Sequence, residues 1–319
     1  MNSLSISLSL FEEARSCYAE KQFADARRLI EAYRKSVHYE LIEHQDRRKG
    51  HEVMVSVVIV SYNAGEGLLE CLESLAGQLD KDFEIILVDN GGNEEIRSQL
   101  ESYPLLYLSP PVNLLPSEGR NLGVSFARGR YLVFIDDDAV VHSDYIQYVK
   151  KAWNCFDFLA LRGKILPKGS FSNNSFTGHY DLGEYPIPAV LMTEGNMAIR
   201  KEVFTSVGGF DPLLFGGEGT ELSWRCWKHY PDQDIFYWPK MIIFHDFAQG
   251  NALVVKKQRH ALAADYFNYL SPEINSLASG YGKWYQARPG GKMVYDQRDL
   301  MSKIKAGIQE KFIALKNKL

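Results

Sequence analysis

Cysteine is scarce in this chain. Four residues, Cys17, Cys71, Cys155 and Cys226, are spread over 319 positions and none stands at metal-ligand spacing from another. That excludes a disulfide framework and a cysteine zinc site, and it predicts reduced thiols in a cytoplasmic protein. Long apolar runs are absent too. Stretches such as Val55–Val60 fall far short of the roughly 20 residues that span a bilayer. No basic segment followed by an apolar run opens the chain, so no signal peptide is expected and any membrane contact is peripheral. Positive charge is not in excess. The net charge of −4 supplies no global field for nucleic acid. Two phosphate-binding glycine signatures are also missing. The first strand runs into Ser61-Tyr62-Asn63-Ala64-Gly65-Glu66-Gly67, which is no dinucleotide fingerprint, and no loop ends in Gly-Lys-Ser/Thr. A phosphate bound here must be held by side chains and a metal rather than by a glycine cradle.

What is present is ordinary globular composition, with 45% hydrophobic and 24% charged residues, in a chain long enough for one large domain or two smaller ones. Residues 10–48 repeat apolar positions at three- and four-residue steps (Phe11, Ala14, Tyr18, then Phe23, Ala26, Leu29, Ile30, Tyr33), which predicts a helical hairpin over an N-terminal extension, residues 1–50. It is either packed on the main domain or a protein-protein contact element. Arg47-Arg48-Lys49-Gly50 reads as a linker.

From Val53 the pattern alternates. Val55–Val60, Phe83–Val88, Leu105–Leu108 and Tyr131–Ile135 read as strands buried on both faces, separated by helical patterns over 68–79, 94–101 and 117–128, the last capped by Gly129. Regular alternation predicts an α/β fold with a mostly parallel central sheet flanked by helices. Further on, 143–153 reads as a helix with Ser143 as N-cap, and Ile235–Trp238 and Met241–Phe244 as two short strands. Residues 167–188 are rich in Gly, Ser, Asn and Pro and read as a substrate lid. Residues 251–319 read as a helical C-terminal extension. Its lysine-rich end, 300–319, either docks on the domain or meets anionic lipid.

Ligands of an open parallel sheet sit beyond the carboxyl ends of its strands. Ser61-Tyr62, Asp89 and Asp136-Asp137-Asp138 stand at three such ends. Three adjacent carboxylates repel one another unless a cation sits among them. The triplet is therefore either a divalent-metal site or an acidic turn closing a strand.

Seven motifs then stand in order: 57–63, Val88-Asp89-Asn90, Gly119-Arg120-Asn121-Leu122-Gly123, 134–138, Gly195-Asn196-Met197-Ala198-Ile199-Arg200, Gly208-Gly209-Phe210-Asp211, and Gly217-Glu218 followed by Glu221-Leu222-Ser223. Over about residues 53–246 the chain resembles family-2 glycosyltransferases of the GT-A nucleotide-diphospho-sugar transferase fold, here read as a domain spanning 51–250. The resemblance implies a nucleotide-sugar donor, usually a UDP-sugar, and Mn2+ or Mg2+. It implies donor contacts from Ser61, Tyr62, Asp89, Arg120, Asp136 and Asp137, and metal ligation by Asp136, Asp138 and His245. Acceptor contacts are expected from Glu194, Asn196 and Trp224, and the acceptor is a glycan, a lipid-linked sugar or a protein. Inverting members carry Glu-Asp at the start of the helix after Gly-Gly-Phe-Asp, with the second acid as base. Here the pair is Glu218-Gly219. Three readings stand: Glu218 serves as base, the enzyme retains configuration, or the domain binds a nucleotide sugar or scaffolds without catalysis. A sugar-nucleotide pyrophosphorylase is disfavoured because 61–67 holds no Lys or Arg. The expected setting is polysaccharide or glycoconjugate synthesis at the inner face of the membrane, with the helical extensions available for self-association.

Overall fold

The computed structural model describes residues 3–50, 52–63, 65–92, 94–155, 157–168, 179–246 and 250–278. In chain order the elements are α1 Ser3–Ala19, α2 Phe23–Ser36, β1 Glu43–Asp46, β2 Val55–Ser61, α3 Glu66–Ala76, β3 Phe83–Asp89, α4 Glu94–Gln99, β4 Leu105–Ser109, α5 Leu115–Ser125 and β5 Tyr131–Asp136. They continue as β6 Val140–Val141, α6 Tyr145–Cys155, β7 Ala160–Pro167, β8 Ile187–Pro188, β9 Asn196–Arg200, α7 Lys201–Ser206, α8 Glu218–His229, β10 Ile235–His245, α9 Gly250–Leu270 and α10 Pro272–Ala278.

Among the described residues the strands join in one sheet of order β1-β4-β3-β2-β5-β9-β7-β10-β6, with β8 on β10. The β4-β3-β2-β5 block is parallel, as alternation predicts. The parallel pairing of β7 with β10 adds to this block, and the mostly parallel sheet also takes in antiparallel strands. β9 lies antiparallel between β5 and β7, and β1, β6 and β8 are also antiparallel to their partners. Pairing sense depends on where a connection brings the chain back, and 167–195 returns it reversed. The consequence is functional. β2, β3, β5, β7 and β10 end at one edge of the sheet, and the reversed β9 begins there, with Asn196 opposite Ile135.

Successive strand residues face opposite sides, so the buried runs divide between two layers. Val58, Ile86, Leu106, Leu132 and Phe134 pack under α5, α8 and α9, and residues of α1 and α2 (Phe11, Ala14, Ile30, Tyr33) belong to that same cluster. Val57, Ile59, Leu87, Val133 and Ile135 face α3 and α6.

Several local expectations are corrected. The segment after α2 is not α-helical beyond Ser36, and Tyr39–Leu41 forms a single 3-10 turn. The chain then crosses to the sheet edge as β1, whose four side chains are all exposed and so leave no apolar signature. Arg47 and Arg48 are no free linker. Arg47 donates to the Leu100 carbonyl at 3.1 Å, and the buried Arg48 donates to Glu84 at 2.8 Å and to the Phe126 carbonyl at 2.9 Å. The helix after Pro116 ends at Ser125, so Gly129 is not its cap. A Cβ there would lie 2.6 Å from the Ser56 amide nitrogen, so glycine lets the chain cross β2 closely. The helix over Tyr145–Cys155 starts two residues beyond Ser143, which is therefore not its N-cap, and Ser143 accepts the Leu79 amide through its carbonyl. The two late strands are one, β10, with a register shift between Trp238 and Ile242 around Pro239. Of the expected lid, residues 169–178 lie outside the described residues, and so does the lysine-rich segment 300–319.

Candidate active site

The edge where β2, β3, β5, β7 and β10 end gathers most of the predicted site residues. β2 ends at Ser61, whose buried hydroxyl donates to Asp137 Oδ2 at 2.5 Å. Tyr62, next along, is 59% exposed, so its ring is open to a ligand. At the end of β3, Asp89 is buried with both oxygens engaged. Tyr107 donates to Oδ2 at 2.6 Å, and the Gly92 and Gly91 amides donate to Oδ1 at 2.8 and 3.3 Å. Asp89 thus shapes the Asp-Asn-Gly-Gly turn. A Cβ on Gly91 would come within 2.6 Å of the Asn63 amide, so glycine lets this turn lie against the end of β2.

The acidic triplet divides its work. Asp137 points back to Ser61. Burial first, then repulsion from Asp138 and Asp136, push its carboxyl up to about 6 against the opposing Ser61 hydrogen bond. Asp138 Oδ1 lies 3.0 Å from His245 Nε2, which is 4.0 Å from Asp136 Oδ2. The sheet register makes this meeting: Val140 pairs with Phe244, placing the chain just after the triplet beside the end of β10. Burial works against the His245 imidazolium, but the hydrogen bond and charge of Asp138, with Asp136 beyond it, outweigh burial and raise its pKa. The reciprocal balance holds the Asp138 carboxyl below its ordinary value, burial opposing and His245 prevailing.

Among the described residues no three His, Cys, Asp or Glu side chains form a closed metal-binding group. Mg2+-type sites commonly use one or two protein carboxylates and complete the shell with substrate phosphates and water. The carboxylates of Asp138 and Asp136 fit such a shell, and His245 could join them once it gives up its proton.

Arg120 joins this end of the site to α8. The close approach of α5 to the sheet rests on two glycines, since a Cβ on Gly119 or Gly123 would lie 2.8 or 2.5 Å from Val60 or Val58. Arg120, buried to 5% exposure, donates to Asp136 Oδ1 at 2.9 Å and to Glu218 Oε1 at 3.0 Å. It is neither a surface residue nor a partner of Glu118. Glu118 instead accepts from Tyr33 at 2.6 Å, Tyr39 at 2.5 Å and Asn121 at 2.9 Å.

Glu218 opens α8 after Gly217, which adopts the left-handed conformation at φ 80°. Its second oxygen accepts the Gly216 amide at 2.6 Å, so both oxygens are engaged. Glu194 stands just before β9 and accepts the Gly219 amide at 2.7 Å. Burial first, then the charge of Glu218, push its carboxyl up to about 7.

Two residues expected to contact the acceptor make their contacts within the fold. Asn196 is wholly buried. It accepts from Tyr145 at 2.8 Å and donates to the carbonyls of Lys164 and Met241 at 2.8 and 3.2 Å, tying β9 to β7 and β10. Trp224 faces away toward α10, donating to Glu273 at 3.0 Å with Lys228 over its ring. Sequence reading missed α9 beside the site. Arg259 lies over the Phe215 ring, 3.9 Å from its centroid, and His260 packs on Gly216. Only the spacing of basic residues over 256–260 hinted at this.

A family model described as glycosyl transferase family 2 matches residues 56–159, the stretch that carries β2 through β5 and the acidic triplet. Over that stretch the chain is similar to family-2 glycosyltransferases. An uncharacterized glycosyltransferase of Haemophilus influenzae is 35% identical to it over 172 residues, which are 50% of this chain and 58% of that one. The chain spans between about a quarter and three-fifths of the length of the curated relatives it matches first. The fold extends beyond the matched segment and is of the GT-A type. S. aureus TarS 1–349 in complex with UDP-GlcNAc superposes with a TM-score of 0.53 at 15% identity, over 74% of this chain and 79% of that one. GalNAc-T7 with UDP, GalNAc and Mn2+ gives 0.53 at 17% identity, over 82% of this chain and 58% of that one. No helix among the described residues is long and apolar enough to cross a membrane.

Proposed function

We propose that this protein transfers a sugar from a nucleotide-sugar donor, a UDP-sugar, to a hydroxyl of a glycan, lipid-linked or protein acceptor, with Mn2+ or Mg2+ and with inversion at the anomeric carbon. The observation that carries this reading is the meeting of Asp138 with His245 at 3.0 Å, beside the ends of β2, β3 and β5. A hydrogen-bonded acid and imidazole at that edge, with an exposed tyrosine at the end of β2, the strand paired with β5, suits a base, ribose and diphosphate laid across the strand ends. The ligands bound in the two structural neighbours, UDP-GlcNAc in one and UDP, GalNAc and Mn2+ in the other, support it.

Asp138 and His245, with Asp136 adjacent, would hold a divalent cation, which would supply neutralisation of the charge that develops on the departing diphosphate. The chain's own residues do the rest. Tyr62 offers a face for the base, and Ser61 fixes Asp137. Arg120 carries positive charge between Asp136 and Glu218 and so draws the donor end of the site and the start of α8 into one unit. Synthesis of a polysaccharide or glycoconjugate on the cytoplasmic face of a membrane is the setting proposed. Segment 300–319 is the proposed lipid contact, and the helical ends are the proposed surfaces for self-association.

Thermal shift with nucleoside diphosphates, with and without Mn2+, tests the reading. UDP is expected to stabilise the protein more in Mn2+ than in its absence. Failure of every nucleoside diphosphate to stabilise it in Mn2+ would sink the proposal.

A further inference from the structure

Sugar transfer by direct displacement needs a group that takes the proton from the acceptor hydroxyl. Three carboxylates flank Arg120 and differ in how they are held. Asp136 gives one oxygen to Arg120. Glu218 gives one oxygen to Arg120 and the other to the Gly216 amide. Each of these two carboxylates therefore already commits an oxygen to the guanidinium, and Glu218 has both its oxygens engaged inside the fold. Glu194 is held differently, by the neutral Gly219 amide at 2.7 Å.

Position 219 has no side chain, and the structure shows what fills its place. A Cβ built on Gly219 would lie 2.8 Å from Glu194 Oε1 and 2.6 Å from the Leu191 carbonyl oxygen. The direction in which a side chain would leave α8 at 219 is thus taken by the Glu194 carboxylate, arriving from the lead-in to β9. Its neighbour Gly195 is the point of closest approach to the donor end, because a Cβ there would overlap the Asp136 carboxylate. Glu194 therefore sits between the acidic triplet and the start of α8.

We propose that Glu194 is the general base of the transfer and that Glu218 is a positioning residue that holds Arg120 against Asp136. The assignment rests on the transferase reading above. In the step, the acceptor O–H proton passes to the Glu194 carboxylate and the acceptor oxygen bonds the anomeric carbon. The bond from that carbon to the diphosphate oxygen breaks, and the nucleoside diphosphate leaves with the electron pair. Desolvation, which favours the protonated form of Glu194, suits a group that must hold a proton after the step.

The test uses the full chain, Mn2+ and a panel of UDP-sugars, with donor binding followed by calorimetry and UDP release to water or added acceptor followed in time. Glu194→Gln keeps an acceptor for the Gly219 amide. It is expected to bind donor as wild type does and to release UDP about 10²–10⁴-fold more slowly. Glu194→Ala is expected to regain part of the rate in added formate, which a packing role would not allow. Glu218→Gln is expected to weaken donor binding and to show no formate response in its Ala counterpart. UDP release by Glu194→Gln within about threefold of wild type overturns the assignment. So does formate rescue at position 218 instead of 194. If wild type binds no donor of the panel, the transferase reading itself fails, and this assignment with it.

Discussion

Arg27 of α2 reaches across to Asp211 of the Gly-Gly-Phe-Asp turn, its Nη1 3.0 Å from Asp211 Oδ2, although 184 residues separate them. Tyr266 of α9 donates to the same carboxylate oxygen at 2.9 Å. One buried acid thereby holds the N-terminal hairpin, the turn before α8 and the helix that covers the site. Arg27→Ala leaves Asp211 buried with its charge only partly compensated and is expected to cost about 2–3 kcal/mol. Urea unfolding of Arg27→Ala, Asp211→Ala and the double variant checks this, with a coupling of about 1–3 kcal/mol expected. Simple additivity of the two losses would show that the pair does not hold the hairpin in place.

Glu84 gives stability a defined pH dependence. It is buried and accepts from Ser56 at 2.6 Å, from the Arg128 amide at 2.6 Å and Nε at 2.7 Å, and from Arg48 at 2.8 Å. Burial opposes its charge, but these donors outweigh burial and hold its pKa below the ordinary 4.5. A depressed carboxylate contributes stability that is present above the unfolded value and lost as pH falls through the folded one. Glu84→Gln is therefore expected to be less stable than wild type by a constant amount, about 2 kcal/mol, above roughly pH 5. The gap should close on acidification, and denaturant midpoints from pH 7 down to 3 measure it. A gap that widens as pH falls would contradict the assignment.

Gly219 cannot regain a side chain at no cost. Gly219→Ala sets a methyl 2.6 Å from the Leu191 carbonyl oxygen and 2.8 Å from Glu194 Oε1. Overpacking of that kind costs about 1–3 kcal/mol. Gly219→Asp adds a second acid against Glu194 and is expected to lower UDP release rather than raise it. Parallel thermal melts and rate measurements decide. A gain in rate with Gly219→Asp would mean that the 219 direction is open to the acceptor.

Asp138→Asn removes the charge that pairs with His245. UDP is expected to lose the Mn2+-dependent part of its stabilisation, with an apparent affinity weakened at least about tenfold. The unfolding midpoint without ligand should change little, because the Asp138 side chain is 53% exposed and solvent screens its pair with His245. Titration of UDP at fixed Mn2+ reads this directly. An unchanged metal effect would remove Asp138 from the metal's donors.

Much of this site was readable along the chain because its chemistry is local. Buried apolar runs 55–60, 83–88 and 131–135 each end in polar residues, and that alone predicts a parallel sheet with a ligand edge at Ser61, Asp89 and Asp136–Asp138. The hairpin of α1 and α2 follows from apolar residues at three- and four-residue steps for the same reason.

What the chain order does not contain is the return path. A reversed β9 between β5 and β7 is a matter of long-range pairing, and it places Gly195 beside Asp136 and Glu194 against Gly219. The pairing of β6 with β10 brings His245 to Asp138, and the packing of α5 through Gly119 and Gly123 sends Arg120 to Glu218. Side chains such as Asn196 and Trp224 look like ligand contacts in sequence because their type is right, but burial and partners put them in the scaffold. By itself the sequence determined the parallel strands β2, β3, β4 and β5 and the residue types at their ends, since these follow from local periodicity and composition. Only the tertiary structure decided which carboxylate faces which partner, because that depends on contacts between segments far apart in the chain.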